Sequence, residues 1–139
     1  AILYLLHHPE VQTKLHKELY VVVAKSMPST MDGKKDLTYT KAVIKEVLRC
    51  SSIIYAGIPH STSLNVDKYI IRKGTTVLAN VCCVIHDPAK WAKPHIFNPD
   101  RFLHDPHNPN FMPFLVGKRF FLGQALSEKY LTKRQICNI

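Results

Sequence analysis

Long apolar runs are missing from this sequence. No stretch nears the roughly 18–20 consecutive apolar residues that cross a bilayer, so no transmembrane segment is expected. Cysteine is scarce: Cys50, Cys82, Cys83 and Cys137 form no CxxC pair and lack the density of a secreted disulfide scaffold, which favours a reducing compartment. The 5 Gly and 9 Pro follow no period, which excludes a fibrous repeat. Acidic residues are also few, 10 against 19 Lys+Arg, for a formal net charge of +9. The basic residues are dispersed, and no basic helix or aromatic-interleaved stripe forms. Nucleic-acid binding is therefore not expected; a solvated face or a docking surface for an acidic partner is. The start, Ala1-Ile2-Leu3-Tyr4-Leu5-Leu6, has no charged leader and no small-residue cleavage site, so it does not read as a signal peptide. It reads as the end of a helix already under way, and the expectation is a piece of a longer chain.

What is present is globular in composition: 139 residues, enough for one domain at most, 46% hydrophobic and 21% charged. Pro9 and Glu10 open a helix, because proline suits the first helical position and a carboxylate suits the positive end. Val11, Leu15, Leu19, Val22 and Val23 then recur at helical spacing to about Lys25, with Glu10 and Lys14 as an i,i+4 pair. Ser26 to Gly33 reads as a loop. Thr38 is the expected N-cap of a second helix, whose apolar side is Tyr39, Val43, Ile44, Val47 and Leu48 and which ends near Cys50 to Ser52. Residues 61–80 read as short strands and a hairpin, with turns at Val66-Asp67-Lys68 and Lys73-Gly74-Thr75. From Asp87 to Pro113 prolines interrupt the chain too often for a long element. Such a long coil needs something to wrap around, and no obvious core for it is visible in the sequence. A last helix is expected from Gly123 to about Cys137.

Glu46 and Arg49, at i and i+3, share one helix face. Alone they read as a surface salt bridge. Downstream come Pro99-Asp100-Arg101-Phe102 and then Phe114-Leu115-Val116-Gly117-Lys118-Arg119-Phe120-Phe121-Leu122-Gly123, leading into a helix. In this order the segments resemble the C-terminal part of the cytochromes P-450, the heme-thiolate monooxygenases: a Glu-x-x-Arg helix, a Pro-x-Arg-Phe segment and the loop pattern Phe-x-x-Gly-x-Arg-x-Cys-x-Gly. Gly57-Ile58-Pro59-His60 and His86-Asp87-Pro88-Ala89-Lys90-Trp91 resemble the microsomal animal branch.

The resemblance covers nearly the whole chain and implies a mainly α fold with a small β-sheet, residues 1–139 forming part of a heme-thiolate monooxygenase domain. It implies that Glu46, Arg49 and Arg101 form a buried charge triad with a structural role. It implies a heme cofactor met by His60 and Arg119 at its propionates, by Phe114 beside the axial sulfur, and by Gly117 and Gly123 where the loop turns tightly. For the full-length family it implies an NADPH-dependent reductase, an apolar small-molecule substrate oxidised with O2, and the cytosolic face of the endoplasmic reticulum membrane, reached through an N-terminal anchor. One position departs: the family's axial cysteine aligns with Phe121, and phenylalanine has no lone pair for iron. Cys137 lies far along the last helix, Cys82 and Cys83 precede the coil, and Cys82-Cys83-x-x-His86 matches no standard zinc spacing. Three readings follow. The chain is a monooxygenase fragment whose Phe121 is an inactivating substitution or a sequence error; or it is a non-catalytic remnant or binding-only protein; or a His or water replaces the axial ligand and leaves a heme carrier.

Overall fold

The computed structural model describes residues 1–25, 37–52, 59–115 and 123–137. Six helices and one hairpin follow in order: α1 (Ile2–His7), α2 (Pro9–Lys25), α3 (Thr38–Ser51), β1 (His60–Val66), β2 (Tyr69–Val77), α4 (Val81–Ile85), α5 (Arg101–His104) and α6 (Gln124–Cys137). The architecture is mainly helical with one small antiparallel sheet. Among the described residues no helix is long and apolar enough to cross a membrane.

The break between α1 and α2 is dictated locally. His8 precedes Pro9, whose ring pushes the preceding residue out of the helical region, and His8 adopts φ −130°, ψ 71°. On α2 the stripe Val11, Leu15 and Leu19 is buried, and it packs on Leu37, Val43 and Val47 of the α3 segment and on Phe97 of the later coil. The Glu10–Lys14 pair expected from spacing is not the contact made: Glu10 accepts from His8 Nδ1 at 3.0 Å, and Lys14 Nζ lies 3.6 Å from Asp100. Helix α3 begins one residue earlier than an N-cap at Thr38 implies: Leu37 is the N-cap, and its side chain makes no capping hydrogen bond. It ends where Ser52 turns left-handed at φ 42° and returns its N–H to the Leu48 carbonyl.

The hairpin turns once, at Asp67-Lys68. The second expected turn is absent: β2 runs straight through Lys73-Gly74-Thr75, and the register slips there, with Thr62 opposite Thr75 but Leu64 opposite Ile71. Gly74, at φ +87°, takes up the irregularity. Helix α4 has no counterpart in the expectation from sequence. Asn80 caps it, its side chain accepting from Cys83 N at 3.2 Å, and Val81 and Ile85 bury one face.

The Pro-rich segment is irregular, apart from the one-turn α5, yet well braced. It contains four Asx-Pro pairs, Asp87-Pro88, Asn98-Pro99, Asp105-Pro106 and Asn108-Pro109. In the first, second and fourth, the Asx side chain accepts the N–H two residues on, from Ala89 at 2.9 Å, Asp100 at 3.1 Å and Asn110 at 2.9 Å. The core that the sequence did not reveal is α3 itself: Trp91 and Phe102 bury against Ala42, while Phe97 joins the α2–α3 cluster.

Candidate functional site

The centre of the described structure is a buried charge cluster. Glu46 and Arg49 lie one turn apart on α3, and both side chains are fully buried. Glu46 Oε2 accepts from Arg49 Nε at 2.8 Å and Glu46 Oε1 from Arg49 Nη2 at 2.9 Å, a bidentate pair. Arg101, brought in at the start of α5, donates from Nε to Glu46 Oε1 at 3.1 Å. The backbone N–H of Asn98 adds a fourth donor at 2.9 Å. The three residues singled out as a triad therefore meet at one carboxylate.

The remaining guanidinium nitrogens collect backbone carbonyls. Arg49 Nη1 reaches Ile85 O at 3.1 Å, and Arg101 reaches Ala92 O at 3.0 Å and Ile96 O at 3.2 Å. Trp91 lies against both cations, its ring centroid 5.3 Å from Arg49 Cζ and 5.9 Å from Arg101 Cζ, while its Nε1 donates to Val84 O at 3.2 Å. Burial alone would lower the Arg49 pKa, but the hydrogen bonds and charge of Glu46 outweigh it and hold it up. Cys50 closes the cluster, its Sγ 3.7 Å from Glu46 Oε1 and 3.1 Å from Arg49 Nη2. Burial first, then the Glu46 charge, push its thiol up to about 11. Such a group is a poor nucleophile near neutrality.

The other residues singled out from sequence divide into two sets. Phe114 is buried against Ile44 and Leu48, on the face of α3 that also meets Leu131 of α6. Gly123 immediately precedes α6, and its carbonyl accepts from Ser127 N at 2.8 Å. His60 opens β1, its backbone opposite Val77. Gly117, Arg119 and Phe121 lie outside the described residues. In sequence Phe114 and Gly123 stand on either side of these three positions, one packed against α3 and the other at the start of α6. Cys82 and Cys83 lie on α4; Cys82 Sγ is 3.7 Å from His86 Nδ1.

Three participants were not legible beforehand: Trp91, Asn98 N and Cys50. Trp91 had a signal, being the single Trp and standing between two loop turns. Asn98 is marked by the Asx-Pro pattern. Cys50 had none beyond its place beside Arg49.

Comparison with known proteins gives the family. The family described as Cytochrome P450 matches residues 1–132. The steroid 17-alpha-hydroxylase/17,20 lyase of Rana dybowskii is 40% identical over 136 residues, covering 92% of this chain and 26% of that protein. Human cytochrome P450 2U1 is 38% identical over 137 residues, covering 94% of this chain and 25% of that protein. A zebra fish cytochrome P450 structure with abiraterone superposes with a TM-score of 0.83 at 33% identity, over 95% of this chain and 32% of that one. The chain spans about a quarter of the length of these curated relatives. With a family match across nearly all its residues and the same fold, the chain belongs to the cytochrome P450 family.

Proposed function

We propose that residues 1–139 are the C-terminal portion of a heme-dependent monooxygenase domain and that this chain, as it stands, does not turn over substrate. The observation that carries the second half is Phe121. The other positions suit heme: Arg119 and His60 offer cationic or hydrogen-bonding partners to propionates, and Gly117 and Gly123 let a loop approach a flat ring. The axial position does not suit it. A phenyl ring gives iron no lone pair, and the family's oxygen chemistry depends on a thiolate there. No reaction step through heme is therefore assigned to this chain. What its described residues support is scaffolding: Glu46 gathers α3, α5 and the coil around one carboxylate, and Phe114 seats the start of the loop against α3.

In the complete family protein the same segment would serve the oxidation of apolar organic substrates with O2 and electrons from an NADPH-dependent reductase at the endoplasmic reticulum membrane. The net charge of +9 suits docking to an acidic partner. The same observation, Phe121, favours as the second reading a non-catalytic remnant or a binding-only protein. A heme titration of the chain beside its Phe121→Cys variant separates these, read by the Soret band of the reduced, CO-bound form. A thiolate-type spectrum from the variant alone supports the fragment reading with one disabling residue. A thiolate-type spectrum from the unsubstituted chain overturns the assignment of Phe121. Absence of stoichiometric binding by both favours the remnant.

A further inference from the structure

Helix α3 starts without a cap of its own. Leu37, at the N-cap, is buried and offers no acceptor, and the first turn carries no acidic residue. The leading N–H groups of a helix need partners from elsewhere. Two of them find one carboxylate on another helix. Glu18 Oε1 accepts from Tyr39 N at 2.7 Å, and Glu18 Oε2 accepts from Thr40 N and from the Thr40 hydroxyl, each at 2.7 Å. Both oxygens are used and all three bonds are short. Thr40 is fully buried, and Glu18 sits on α2 between buried Leu15 and Leu19, so its carboxylate is held on the face of α2 that meets α3. A negative charge there also faces the positive end of the α3 dipole. Toward the other end of the same helix, Glu46 and Arg49 make the charge cluster.

We propose that Glu18 is a positioning residue: it caps α3 from α2, sets where the first turn of α3 begins, and so fixes how that helix presents Glu46 to Arg101 and to the Asn98 amide. The role does not depend on heme binding, so the test uses the chain without heme. Hydrogen exchange is followed at individual amides by NMR in the unsubstituted chain and in Glu18→Gln. A carboxamide keeps one acceptor oxygen and turns a donor toward donors. Hydrogen bonds to charged groups contribute enough that exchange at Tyr39 and Thr40 should rise by about tenfold or more. The Asn98 amide, bonded to Glu46 52 residues away, should rise by about threefold, while mid-helix Val47 changes less. Unchanged exchange at Tyr39 and Thr40, or a rise there with Asn98 unmoved, overturns the positioning role. A uniform rise that includes Val47 also overturns it, because Glu18 would then support the fold as a whole. If Glu18→Gln does not fold, Thr40→Val carries the test. It removes one donor of Oε2, so exchange at Thr40 should change and exchange at Tyr39, on Oε1, should not. Equal change at both, or at neither, refutes the division of the two oxygens. No protection at either amide in the unsubstituted chain refutes the cap itself.

Discussion

Replacing Glu46 by Gln removes one charge and almost no volume, so its cost isolates the electrostatics of the cluster. Glu46 receives five hydrogen bonds: two from Arg49, one from Arg101, one from Asn98 N and a longer one from the Cys50 thiol. A glutamine has one acceptor oxygen, and its NH2 group must face donors. Arg49 is left fully buried and cationic with no carboxylate. Arg101, 13% exposed, keeps some access to water. Removing one partner of a buried ion pair costs about 3–5 kcal/mol, against a total of about 5–15 kcal/mol for a typical domain. Urea unfolding followed by the fluorescence of Trp91 reads the right place, since that ring lies against both guanidiniums. With a urea slope of about 1–3 kcal/mol per molar, the midpoint should fall by at least about 1 M. The double variant Glu46→Leu with Arg49→Met leaves no cation at position 49, but it strips the donor from the Ile85 carbonyl and the acceptor from Arg101 and Asn98 N, so it should not recover the loss. A Glu46→Gln loss below about 1 kcal/mol, or a double variant as stable as the unsubstituted chain, would refute the reasoning.

Two further outcomes follow from the same cluster. Cys50 ionises at about 11 in the folded chain against an ordinary value of 9.0, so the folded state holds the proton more tightly; stability from this group is complete below pH 9 and declines as pH rises toward 11, and Cys50→Ala should flatten that decline in unfolding curves measured across pH 8–11. Arg101→Lys keeps the charge but loses the fork that reaches Glu46 and three backbone carbonyls at once, so it should destabilise by about 1–3 kcal/mol in the same urea assay, and a neutral result would show that charge alone suffices.

Helices α2 and α3 were legible because burial on one side imposes a 3.6-residue period, and Val11, Leu15, Leu19, Val43 and Val47 obey it. Glu46 and Arg49 were legible as neighbours for the same reason. Their third member was not, on physical grounds: Arg101 is 55 residues from Glu46, and nothing local marks which distant cation a carboxylate will meet. Only family resemblance linked them. The start of α3 shows the same limit. Local capping rules point to Thr38, but the acceptor comes from Glu18, a helix-interior residue with no capping signature of its own. The turn expected at Lys73-Gly74-Thr75 failed for a different reason, since a glycine at positive φ serves a register slip in a strand as well as it serves a turn.

The Pro-rich coil explains why the charges are buried at all. A segment without a ladder leaves its carbonyls unpaired, and buried carbonyls need donors. The prolines make this worse, because each removes an N–H. Arg49 and Arg101 supply the donors: between them they reach the carbonyls of Ile85, Ala92, Lys93 and Ile96, in the coil and at the end of α4 just before it. Two cations so placed would be intolerable without a counter-charge, and Glu46 is that counter-charge. An apolar replacement could fill the space but could not satisfy those carbonyls. The cluster is therefore better understood as the hydrogen-bonding surface that an irregular chain lacks than as an ion pair that adds stability for its own sake. This accounts for a coil of more than twenty residues lying ordered against α3 and the neighbouring face of α2.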